Sequence, residues 1–370
     1  MASTRPVRIA VIGTGLIGPR HAKAVIQDAN AVLTCIVDPS PAAQEVAAAL
    51  QIPLYPSVQA MLSSPHRPDV GIVCTPNHTH VPVSTELLSG GVHVLCEKPI
   101  SVDIAGGQAL VDHAAARGLH LLTGHHRRFN PFVTAVKRIL DTNSLGSITA
   151  ISGLWTLFKP SPYFDPPTAW RRSAESGGPV LINLIHDIDV LHYLLGPIKT
   201  VAAFEAVKRR GHDAEEGGAI LLHFESGVVG TFVLSDAVVS PHAFELGTGE
   251  NPLFPPTGED IYRIFGTEAT LSVPDLKRWS YAQGTQKSWQ NKMIQETLSL
   301  NGLLSEKERL KVPFELQVDH LVQVVRGEAS PICSGADGLA AVRVAEAVRK
   351  ALRTGGVVTV NYKDKDQLKL

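Results

Sequence analysis

The first third of the chain alternates short apolar runs with segments of helical spacing. The runs are almost uninterrupted, as in strands that are buried on both faces of a parallel sheet. They predict strands at residues 7–12, 31–37, 69–74, 92–96 and 119–123. A helix is predicted at residues 81–88, between two of these strands. This alternation predicts an α/β domain with a doubly wound parallel sheet.

The hydrophobic pattern changes from residue 148 onwards. The apolar runs become longer and alternate, as at 219–224 and 228–234, and the turn residues 225–227 separate these two runs. Such pairs are typical of adjacent antiparallel strands. The pattern predicts a second, α+β domain with a large, mainly antiparallel open sheet that follows a helix-rich segment.

A stretch rich in glycine, proline and polar residues, 124–131, lies between the two patterns. It predicts a domain boundary, with residues 1–125 in the first domain and 126–370 in the second. Near the end of the chain, Ser334 and Asp337 have the spacing of a capping box, and apolar residues follow at helical intervals. A helix is therefore predicted in this part of the second domain.

Three spaced glycines follow the first predicted strand directly. Gly13, Gly15 and Gly18 form G-x-G-x-x-G ahead of a helical segment, which is the dinucleotide-binding fingerprint of a Rossmann domain. The first permits a tight turn, the second lets the backbone approach the phosphates, and the third allows close packing of helix on strand. The residues predicted to bind the cofactor here are Gly13, Thr14, Gly15, Leu16, Ile17 and Gly18.

Asp38 ends the second predicted strand, where an acidic side chain can accept hydrogen bonds from the adenosine ribose hydroxyls. A carboxylate there repels the additional phosphate of NADP, and the next residues, Pro39 and Ser40, supply no arginine to bind it. We therefore expect NAD as the cofactor, with NADP less favoured. Asp38 could also cap a helix that begins near Pro41.

The loop after residues 69–74 lies at the carboxyl edge of the predicted sheet, where open α/β sheets bind ligands. Its residues Thr75, Pro76, Asn77 and His80 are expected to line the cofactor. A proline-bearing turn followed by the start of a helix explains the same composition equally well.

Glu97, Lys98 and Pro99 close the next apolar run and reach the same edge. We expect Glu97 and Lys98 beside the cofactor, with Lys98 also contacting substrate. A charged lysine next to a nicotinamide can polarise a substrate oxygen and favour a developing alkoxide, which indicates hydride chemistry on an alcohol or carbonyl. A solvated lysine at a strand end is the alternative.

A second group of polar side chains follows Gly177 and Gly178. Helical spacing there places Asn183, His186 and Asp187 on one side of a predicted helix. His186 suits proton transfer, since an unperturbed imidazole exchanges its proton near neutral pH. A buried histidine with structural hydrogen bonds is the alternative. Asp187 or Asp189 could orient the imidazole, or both could be solvated or structural.

Composition fits a globular enzyme of about two domains: 370 residues, 44% hydrophobic, with a net charge of −1. No basic run indicates a nucleic-acid partner. The sequence has no apolar stretch long enough to span a membrane and no amino terminus that resembles a signal peptide. We therefore expect a soluble cytoplasmic protein. The four cysteines lack C-x-x-C spacing and are expected to be core residues, so no metal site is predicted.

In their order along the chain, the glycine fingerprint, Thr75-Pro76-Asn77, Glu97-Lys98-Pro99 and Gly177-Gly178 with His186 resemble the Gfo/Idh/MocA family of glucose-fructose oxidoreductase and inositol dehydrogenase relatives. The resemblance runs nearly end to end. It implies NAD(P)-dependent redox chemistry on sugars, cyclitols or related polyols, with Lys98 and His186 beside the nicotinamide. It also implies a carboxyl-terminal sheet that commonly forms homodimers or homotetramers.

The chain departs from this family at one position. Many inositol dehydrogenase relatives have an aspartate four residues before the histidine, where this chain has Ile182, and Asn183 follows. An amide cannot take up a proton. The expected mechanism therefore keeps His186 as acid and base and Lys98 as the electrostatic partner.

The substrate is expected to be a small sugar, cyclitol or related polyhydroxylated ring. Candidate contacts are Arg127, Trp170, Arg171, Asn183 and His186. An arginine could bind a carboxylate of a sugar acid or hydroxy acid in bidentate fashion, although surface ion pairs explain the arginines equally well. The leading prediction is a dehydrogenase acting on CH–OH groups. The alternatives are a glycosidase-type enzyme that retains its NAD and a non-catalytic NAD-binding regulator.

Overall fold

The computed structural model describes residues 5–362. The chain divides into two compact units. Unit 1 runs to Phe129 and also includes Leu310–Val342, whereas unit 2 comprises Asn130–Arg309 and the chain from Arg343 onwards. The first crossing lies close to the boundary predicted at 125/126. The return of Leu310–Val342 to unit 1 differs from that prediction, which placed this segment in the second domain.

Unit 1 contains a six-stranded parallel sheet, and a nine-stranded sheet lies in unit 2. The strands are β1 Val7–Ile12, β2 Ala31–Val37, β3 Leu54–Tyr55, β4 Val70–Val73, β5 His93–Cys96, β6 Leu121–Thr123, β7 Ile148–Thr156, β8 Ile198–Glu205, β9 Gly217–Phe224, β10 Val229–Ser235, β11 Tyr262–Gly266, β12 Ala269–Val273, β13 Lys277–Ser280, β14 Ile294–Thr297 and β15 Val357–Thr359.

The α-helices are α1 Gly18–Gln27, α2 Ala43–Leu50, α3 Val58–Leu62, α4 His80–Ser89, α5 Ile104–Ala116, α6 Pro131–Asp141, α7 Ile185–Leu195, α8 Phe244–Thr248, α9 Leu300–Leu303, α10 Glu306–Leu310, α11 Pro313–Val325 and α12 Gly335–Thr354. Within the described chain, none of them is long and apolar enough to cross a membrane.

The strand order in unit 1 is β3-β2-β1-β4-β5-β6, which is the doubly wound order that the sequence predicts. Strands β1 and β2 have the predicted bounds. The order reverses between β1 and β4, so the chain segments that follow these two strands flank a crevice at the carboxyl edge. This is the position at which such sheets bind ligands.

Helix α11 explains why Leu310–Val342 belongs to unit 1. Its apolar residues Val318, Leu321 and Val322 are buried in one core with Val7 and Ile9 of β1. Helical spacing in the sequence shows that a helix has an apolar face, but it does not identify what that face packs against. The predicted boundary therefore could not include this long-range return.

The sheet of unit 2 has the order β14-β13-β12-β11-β7-β10-β9-β8-β15, and only the pairing of β7 with β10 is parallel among its described strands. Strands β9 and β10 pair antiparallel, with Val229 opposite His223, as the sequence predicts. One face buries Leu222 and Phe232, whereas Leu221 and Val233 on the other face are exposed.

The capping box predicted before α12 is confirmed. The Ser334 hydroxyl accepts a hydrogen bond from the Asp337 amide at 3.2 Å, and the Asp337 carboxylate accepts one from the Ser334 amide at 2.8 Å. Both amide groups at the helix start are therefore satisfied. Gly355, with φ of 65°, ends the helix in a left-handed conformation.

Candidate functional site

The glycine loop after β1 turns sharply at the carboxyl edge of the unit 1 sheet. Gly13 has φ of 96°, and a Cβ there would lie 2.8 Å from the backbone of Cys74. A Cβ at Gly18 would lie 2.1 Å from the Gly13 carbonyl oxygen, so α1 packs directly on the loop. By contrast, no heavy atom among residues 5–362 would lie within 4 Å of a Cβ at Gly15. The first and third glycines therefore permit the turn, and the second leaves its backbone open to a ligand.

The amino end of α1 has the character of an anion site. Within the described chain, no side chain caps this end and no acidic residue occupies the first turn. Pro19 lies at the start of the helix, and Leu16 in the loop before it is 83% exposed. Unpaired amide groups and the helix dipole attract phosphate at such an end. The open backbone at Gly15 and this helix end together fit the pyrophosphate of a dinucleotide.

Asp38, which follows β2, is tied to the glycine loop. Its Oδ2 accepts hydrogen bonds from the Thr14 amide and hydroxyl, both at 2.7 Å, and its Oδ1 accepts one from the Ser40 amide at 2.8 Å. A carboxylate offers about four acceptor positions, so one remains at Oδ1 for a ribose hydroxyl. The alternative of a helix cap is wrong, because α2 begins at Ala43 behind Ala42, whose methyl cannot accept a hydrogen bond.

His80 connects two of the predicted loops. It is 1% exposed, and its Nδ1 and Nε2 lie 2.7 Å from the Pro99 carbonyl oxygen and 2.8 Å from that of Thr75. Two carbonyl acceptors require both ring nitrogens to carry protons. Burial opposes this charge, but the adjacent Cys96 and the two carbonyls raise the pKa of His80 to about 9. His80 therefore braces the two loops through both ring nitrogens, and its expected contact with the cofactor stays a prediction.

The rest of the Thr75 loop forms a short 3₁₀ turn, Asn77–Thr79, before α4. The Thr79 hydroxyl bonds Thr75 Oγ1 and the Pro76 carbonyl, each at 2.7 Å. These bonds hold Thr75, Pro76 and Asn77 at the carboxyl end of β4, beside the glycine loop. The turn of the alternative interpretation therefore exists, and it lies at the carboxyl edge of the sheet, while the contact of these residues with the cofactor stays a prediction.

Glu97 forms a buried ion pair that the sequence analysis missed. Its Oε1 lies 2.7 Å from Nε2 of His21, a fully buried residue of α1. Burial alone would raise the pKa of Glu97, but the hydrogen bond and charge of His21, with His126 and Lys98, lower it to about 2. Phe314 of α11 packs edge-on against the His21 ring. The pair fixes the Glu97 loop to the helix that begins at the glycine fingerprint.

Lys98 follows β5 and is half-buried. Its amide donates to Glu97 Oε2 at 3.2 Å, and the Lys98–Pro99 peptide bond is cis. The lysine backbone is thus held by the same carboxylate that His21 anchors. This arrangement places Lys98 at the ligand edge of unit 1, as the sequence predicts.

Arg127 and Arg128 lie in a 3₁₀ turn, His126–Phe129, at the end of the first part of unit 1. Arg127 is only 2% exposed, so the alternative of a solvated surface ion pair does not apply to it. Arg128 is also buried, donates to the Ile332 carbonyl and pairs with Asp337 at 3.5 Å. Arg128 therefore attaches the start of α12 to this turn.

In unit 2, the two glycines before α7 allow close packing of the loop that carries Arg171. A Cβ at Gly177 would lie 2.1 Å from the Arg171 carbonyl oxygen, and one at Gly178, which has φ of 79°, would lie 2.2 Å from Glu215 Oε1. That oxygen accepts the Val180 amide at 3.0 Å. The glycines therefore bring the loop and the helix start together.

The chain then forms a π-helical turn, Val180–Leu184, and only afterwards the α-helix that begins at Ile185. The prediction of a single α-helix is corrected here, because the wider turn changes the angle between Asn183 and His186. Inserted π turns are frequent at functional sites. Nothing in the apolar pattern of the sequence distinguishes five residues of π-helix from α-helix.

His186 is 7% exposed in the first turn of α7. The next residue, Asp187, is fully buried and accepts a hydrogen bond from the Tyr262 hydroxyl of β11. Asp189 is fully buried as well. The solvated alternative for the two aspartates is therefore wrong, and Asp187 joins α7 to the sheet beneath it.

Lys159 and Asn183 form the second feature that the sequence analysis did not foresee. Lys159, which follows β7, is buried, and its Nζ donates to Asn183 Oδ1 at 2.7 Å. Its Nζ also lies 3.5 Å from a carboxylate oxygen of Asp236. Burial lowers the pKa of Lys159 to about 8, although Asp236 and Glu245 act in the opposite direction. A lysine among aromatic residues was visible in the sequence, but its partner was not.

Trp170, Arg171 and Arg172 lie in the same loop but have different surroundings. Arg172 forms a surface ion pair with Asp165 at 2.7 Å, as the alternative interpretation predicts. Arg171 lies with its guanidinium carbon 3.8 Å from the ring centre of Tyr163, and its Nε has no hydrogen-bond partner among residues 5–362. Trp170 is exposed. Trp170 is therefore accessible to a ligand, whereas Arg171 is held at Tyr163, whose carbonyl accepts a hydrogen bond from its Nη1 at 2.9 Å, and its contact with substrate stays a prediction.

Comparison with known proteins places both units in one family. Residues 7–125 match the model of an oxidoreductase family NAD-binding Rossmann fold, and residues 137–360 match the carboxyl-terminal alpha/beta domain of the same family. The chain is 24% identical to scyllo-inositol 2-dehydrogenase (NAD(+)) of Bacillus subtilis over 96% of its length and 97% of that protein. It is 30% identical to inositol 2-dehydrogenase of Rhizobium meliloti over 53% of its own length and 58% of that enzyme.

Solved structures share the fold. WlbA dehydrogenase from Bordetella pertussis, in complex with NADH and UDP-GlcNAcA, superposes with a TM-score of 0.77 at 23% identity, covering 96% of this chain and 99% of that one. An Agrobacterium radiobacter oxidoreductase in complex with NAD+, L-tartaric acid and magnesium gives a TM-score of 0.77 at 18% identity, covering 96% and 98%. With an NAD-binding Rossmann domain followed by the matching carboxyl-terminal domain, the chain belongs to the Gfo/Idh/MocA oxidoreductase family.

Proposed function

We propose that the protein is an NAD-dependent dehydrogenase that interconverts a secondary alcohol and a ketone on a sugar, cyclitol or related polyhydroxylated ring. The observation that carries this proposal is the combination of an open glycine loop, a lysine at the same sheet edge, and a buried histidine behind a π turn. A non-catalytic regulator would require only the first of these. The inositol dehydrogenase relatives support the class of substrate.

The residues of unit 1 suit NAD. The Gly15 backbone and the uncapped start of α1 would hold the pyrophosphate, and Asp38 would accept a ribose hydroxyl at its remaining position. Bound NAD supplies the site that accepts or returns a hydride. The chain itself supplies orientation and charge.

Lys98 is proposed to act on the substrate oxygen. Its ammonium would donate a hydrogen bond to that oxygen and stabilise the negative charge that develops there during hydride transfer. The backbone of Lys98 is fixed through Glu97 and His21, so the base of its side chain is already in place before substrate binds. Pre-orientation matters because a donor that must reorganise contributes less to the transition state.

His186 is proposed to exchange the hydroxyl proton. During oxidation its imidazole would accept the proton of the reacting alcohol, and during reduction it would return that proton to the carbonyl oxygen. Burial on α7 limits competing exchange with water. Asn183, which has a carboxamide and cannot titrate, would contribute hydrogen bonds only.

The substrate contacts proposed for unit 2 are Asn183, His186, Trp170 and Arg171, and Arg127 is proposed from unit 1. A carboxylate on the polyol would suit Arg171, because a guanidinium binds carboxylates in a bidentate manner. An exposed indole such as that of Trp170 can cover the apolar face of a ring. Sugar acids and hydroxy acids therefore belong among the candidates.

The test is turnover with a panel of cyclitols, aldoses, sugar acids and quinate-like acids, with NAD and NADP, followed by absorbance of the reduced nicotinamide. We expect one class to react, with NAD preferred. In Lys98→Met and in His186→Gln, kcat should fall by on the order of a hundredfold or more, which is the scale of one acid–base or electrostatic contribution. Lys287→Met is the matched control, since among residues 5–362 Lys287 pairs only with half-exposed Glu268 and with backbone at the surface.

Absence of turnover across the panel, together with NAD that remains bound through purification, would contradict the dehydrogenase. That result would favour an enzyme that retains its NAD for transient oxidation, or a regulator. Turnover that survives both Lys98→Met and His186→Gln would instead contradict the assigned roles while leaving the activity intact.

We also propose that a second copy of the chain covers the exposed face of the unit 2 sheet, giving a homodimer or homotetramer. Phe204, Leu221, Val229 and Val233 are exposed on three adjacent strands, and apolar faces of this kind mark association surfaces. Sedimentation velocity of the wild type and of Leu221→Glu tests this. A monomeric wild type would contradict it.

A further inference from the structure

Lys159 is a buried cation in unit 2. The proposed mechanism gives it no step. Its Nζ lies 2.7 Å from Asn183 Oδ1, and the ring centres of Tyr163 and Trp155 lie 4.6 and 5.1 Å from it. Asn183 occupies the π turn three residues before His186. Lys159 is therefore one hydrogen bond away from the segment that carries the proposed acid and base.

The ammonium group of a lysine donates hydrogen bonds and cannot accept them. Whatever binds Lys159 must therefore present an oxygen, and this fixes which end of the Asn183 amide faces the lysine. The Nδ2 group forms no hydrogen bond within the described chain, and Asn183 is only half-buried. Its two N–H donors are consequently left for a molecule outside the chain.

We infer that Lys159 is a positioning residue that locks Asn183 as a hydrogen-bond donor to the substrate. This inference rests on the proposed function, in which Asn183 and His186 contact the substrate. A carboxylate at this position would accept a hydrogen bond from a substrate hydroxyl. The locked amide instead donates one, so it selects an acceptor oxygen: a carbonyl, a carboxylate, or a hydroxyl lone pair.

A purely structural role explains Lys159 less well. Asp236 already has a guanidinium partner, since Arg210 Nη1 lies 2.6 Å from its Oδ1, whereas Lys159 lies 3.5 Å from its Oδ2. Burial of a cation is costly, and a hydrophobic side chain of similar volume usually serves stability as well or better. The hydrogen bond of Lys159 Nζ to Asn183 is shorter than its contact with Asp236. Its geometry thus favours control of the amide.

The locked donor also defines a substrate preference. Arg171, in the same loop as Tyr163, adds a second cation whose guanidinium stacks on that ring. Two cations and an amide donor together favour a substrate rich in acceptor oxygens. Polyols that carry a keto or carboxylate group next to the reacting carbon fit this description better than fully hydroxylated neutral rings.

The test is a double-mutant cycle of kcat/KM with Lys159→Met and Asn183→Ala. If Lys159 acts through Asn183, Lys159→Met alone lowers kcat/KM by on the order of tenfold to a hundredfold, the scale of a charge-assisted hydrogen bond, and adds little in the Asn183→Ala background. If the two substitutions acted independently, their fold-changes in kcat/KM would multiply in the double variant. Lys287→Met controls for loss of one positive charge, and tryptophan fluorescence during urea unfolding controls for stability of unit 2.

A second readout separates positioning from folding. The ratio of kcat/KM for a carboxylated polyol to that for its neutral analogue should fall in Lys159→Met, because the donor is no longer held. If Lys159→Met does not fold, Lys159→Gln takes its place in both measurements. The inference is overturned if the effects of the two substitutions on kcat/KM multiply, or if the ratio of kcat/KM for the two substrates is unchanged in the variant. In either case, turnover by the wild type would still support the proposed function. Absence of wild-type turnover overturns both.

Discussion

The buried pair of His21 and Glu97 gives the sharpest prediction about unit 1. Replacement of Glu97 by glutamine keeps the volume of the side chain and removes its charge. His21 is fully buried and its Nε2 lies 2.7 Å from Glu97 Oε1, so the variant exchanges a charge-assisted hydrogen bond for a neutral one. We expect a marked loss of stability in unit 1.

The size of the loss follows from the pKa of Glu97. His21 and neighbouring charges outweigh the effect of burial and lower this pKa from 4.5 to about 2. At roughly 1.36 kcal/mol per pH unit, the carboxylate contributes about 3 kcal/mol over its protonated form. Because the folded-state pKa is depressed, this contribution is present in full above about pH 4.5 and is lost as the pH falls towards 2.

The distribution of cysteine and tryptophan provides a separate reporter for each unit. Cys35, Cys74, Cys96 and Cys333 all lie in unit 1 and are free thiols in the described chain, whereas all four tryptophans lie in unit 2. Thiol labelling with 4,4′-dithiodipyridine, which also reacts in acid, therefore follows urea unfolding of unit 1. Tryptophan fluorescence follows unit 2 in the same samples.

At about pH 7 the variant should lose about 3 kcal/mol in the thiol-labelling transition, and at about pH 3 the difference should shrink to about 1 kcal/mol. The fluorescence transition should stay where it is in the wild type. A difference below about 0.5 kcal/mol at neutral pH, or one that does not change with pH, would refute the assignment of a strong buried pair.

Three further predictions concern the ligand edge and Lys159. Gly15→Ala should lower NADH affinity in a fluorescence titration without changing the unfolding midpoint, because its Cβ meets open space, whereas Gly18→Ala should lower both, because its Cβ would lie 2.1 Å from a carbonyl oxygen. Equal unfolding losses would contradict this. Asp38→Ala should raise the ratio of kcat/KM for NADP to that for NAD by roughly tenfold or more, since it removes the repulsion of the additional phosphate. An unchanged ratio would remove Asp38 from cofactor choice. The kcat/KM of the wild type should decline as pH rises through about 8, where Lys159, lowered in pKa by burial against the opposing Asp236, loses its charge. In Lys159→Arg the decline should move to higher pH. A pH profile identical to that of the wild type would argue against Lys159 as its cause.

Much of unit 1 follows from its sequence because its signals are local. Strand β1, the glycine turn and the start of α1 are consecutive in the chain, so periodicity and backbone requirements specify them without knowledge of anything distant. Asp38 and Lys98 follow in the same way, since each stands directly after a predicted strand. The capping box of Ser334 and Asp337 is another local pattern that the structure confirms.

The features that the sequence did not reveal depend on partners far along the chain. His21 and Glu97 are separated by 76 positions, and nothing around either residue identifies the other. Lys159 likewise bonds Asn183 across 24 positions, through a π turn that helical spacing cannot distinguish. The bonds of the His80 ring to the Pro99 and Thr75 carbonyls were also not predicted, because they depend on how the loops fold together.

The return of α11 to unit 1 has a consequence for synthesis of the protein on the ribosome. Val318, Leu321 and Val322 complete the core around β1, yet they are translated only after the whole stretch Asn130–Arg309. A nascent chain that ends near Phe129 has every strand of its sheet but leaves the apolar side of α1 uncovered. Strand β1 and helix α1 are thus among the last elements of unit 1 to reach their final packing, and fragments of unit 1 that lack α11 should need a chaperone until α11 emerges.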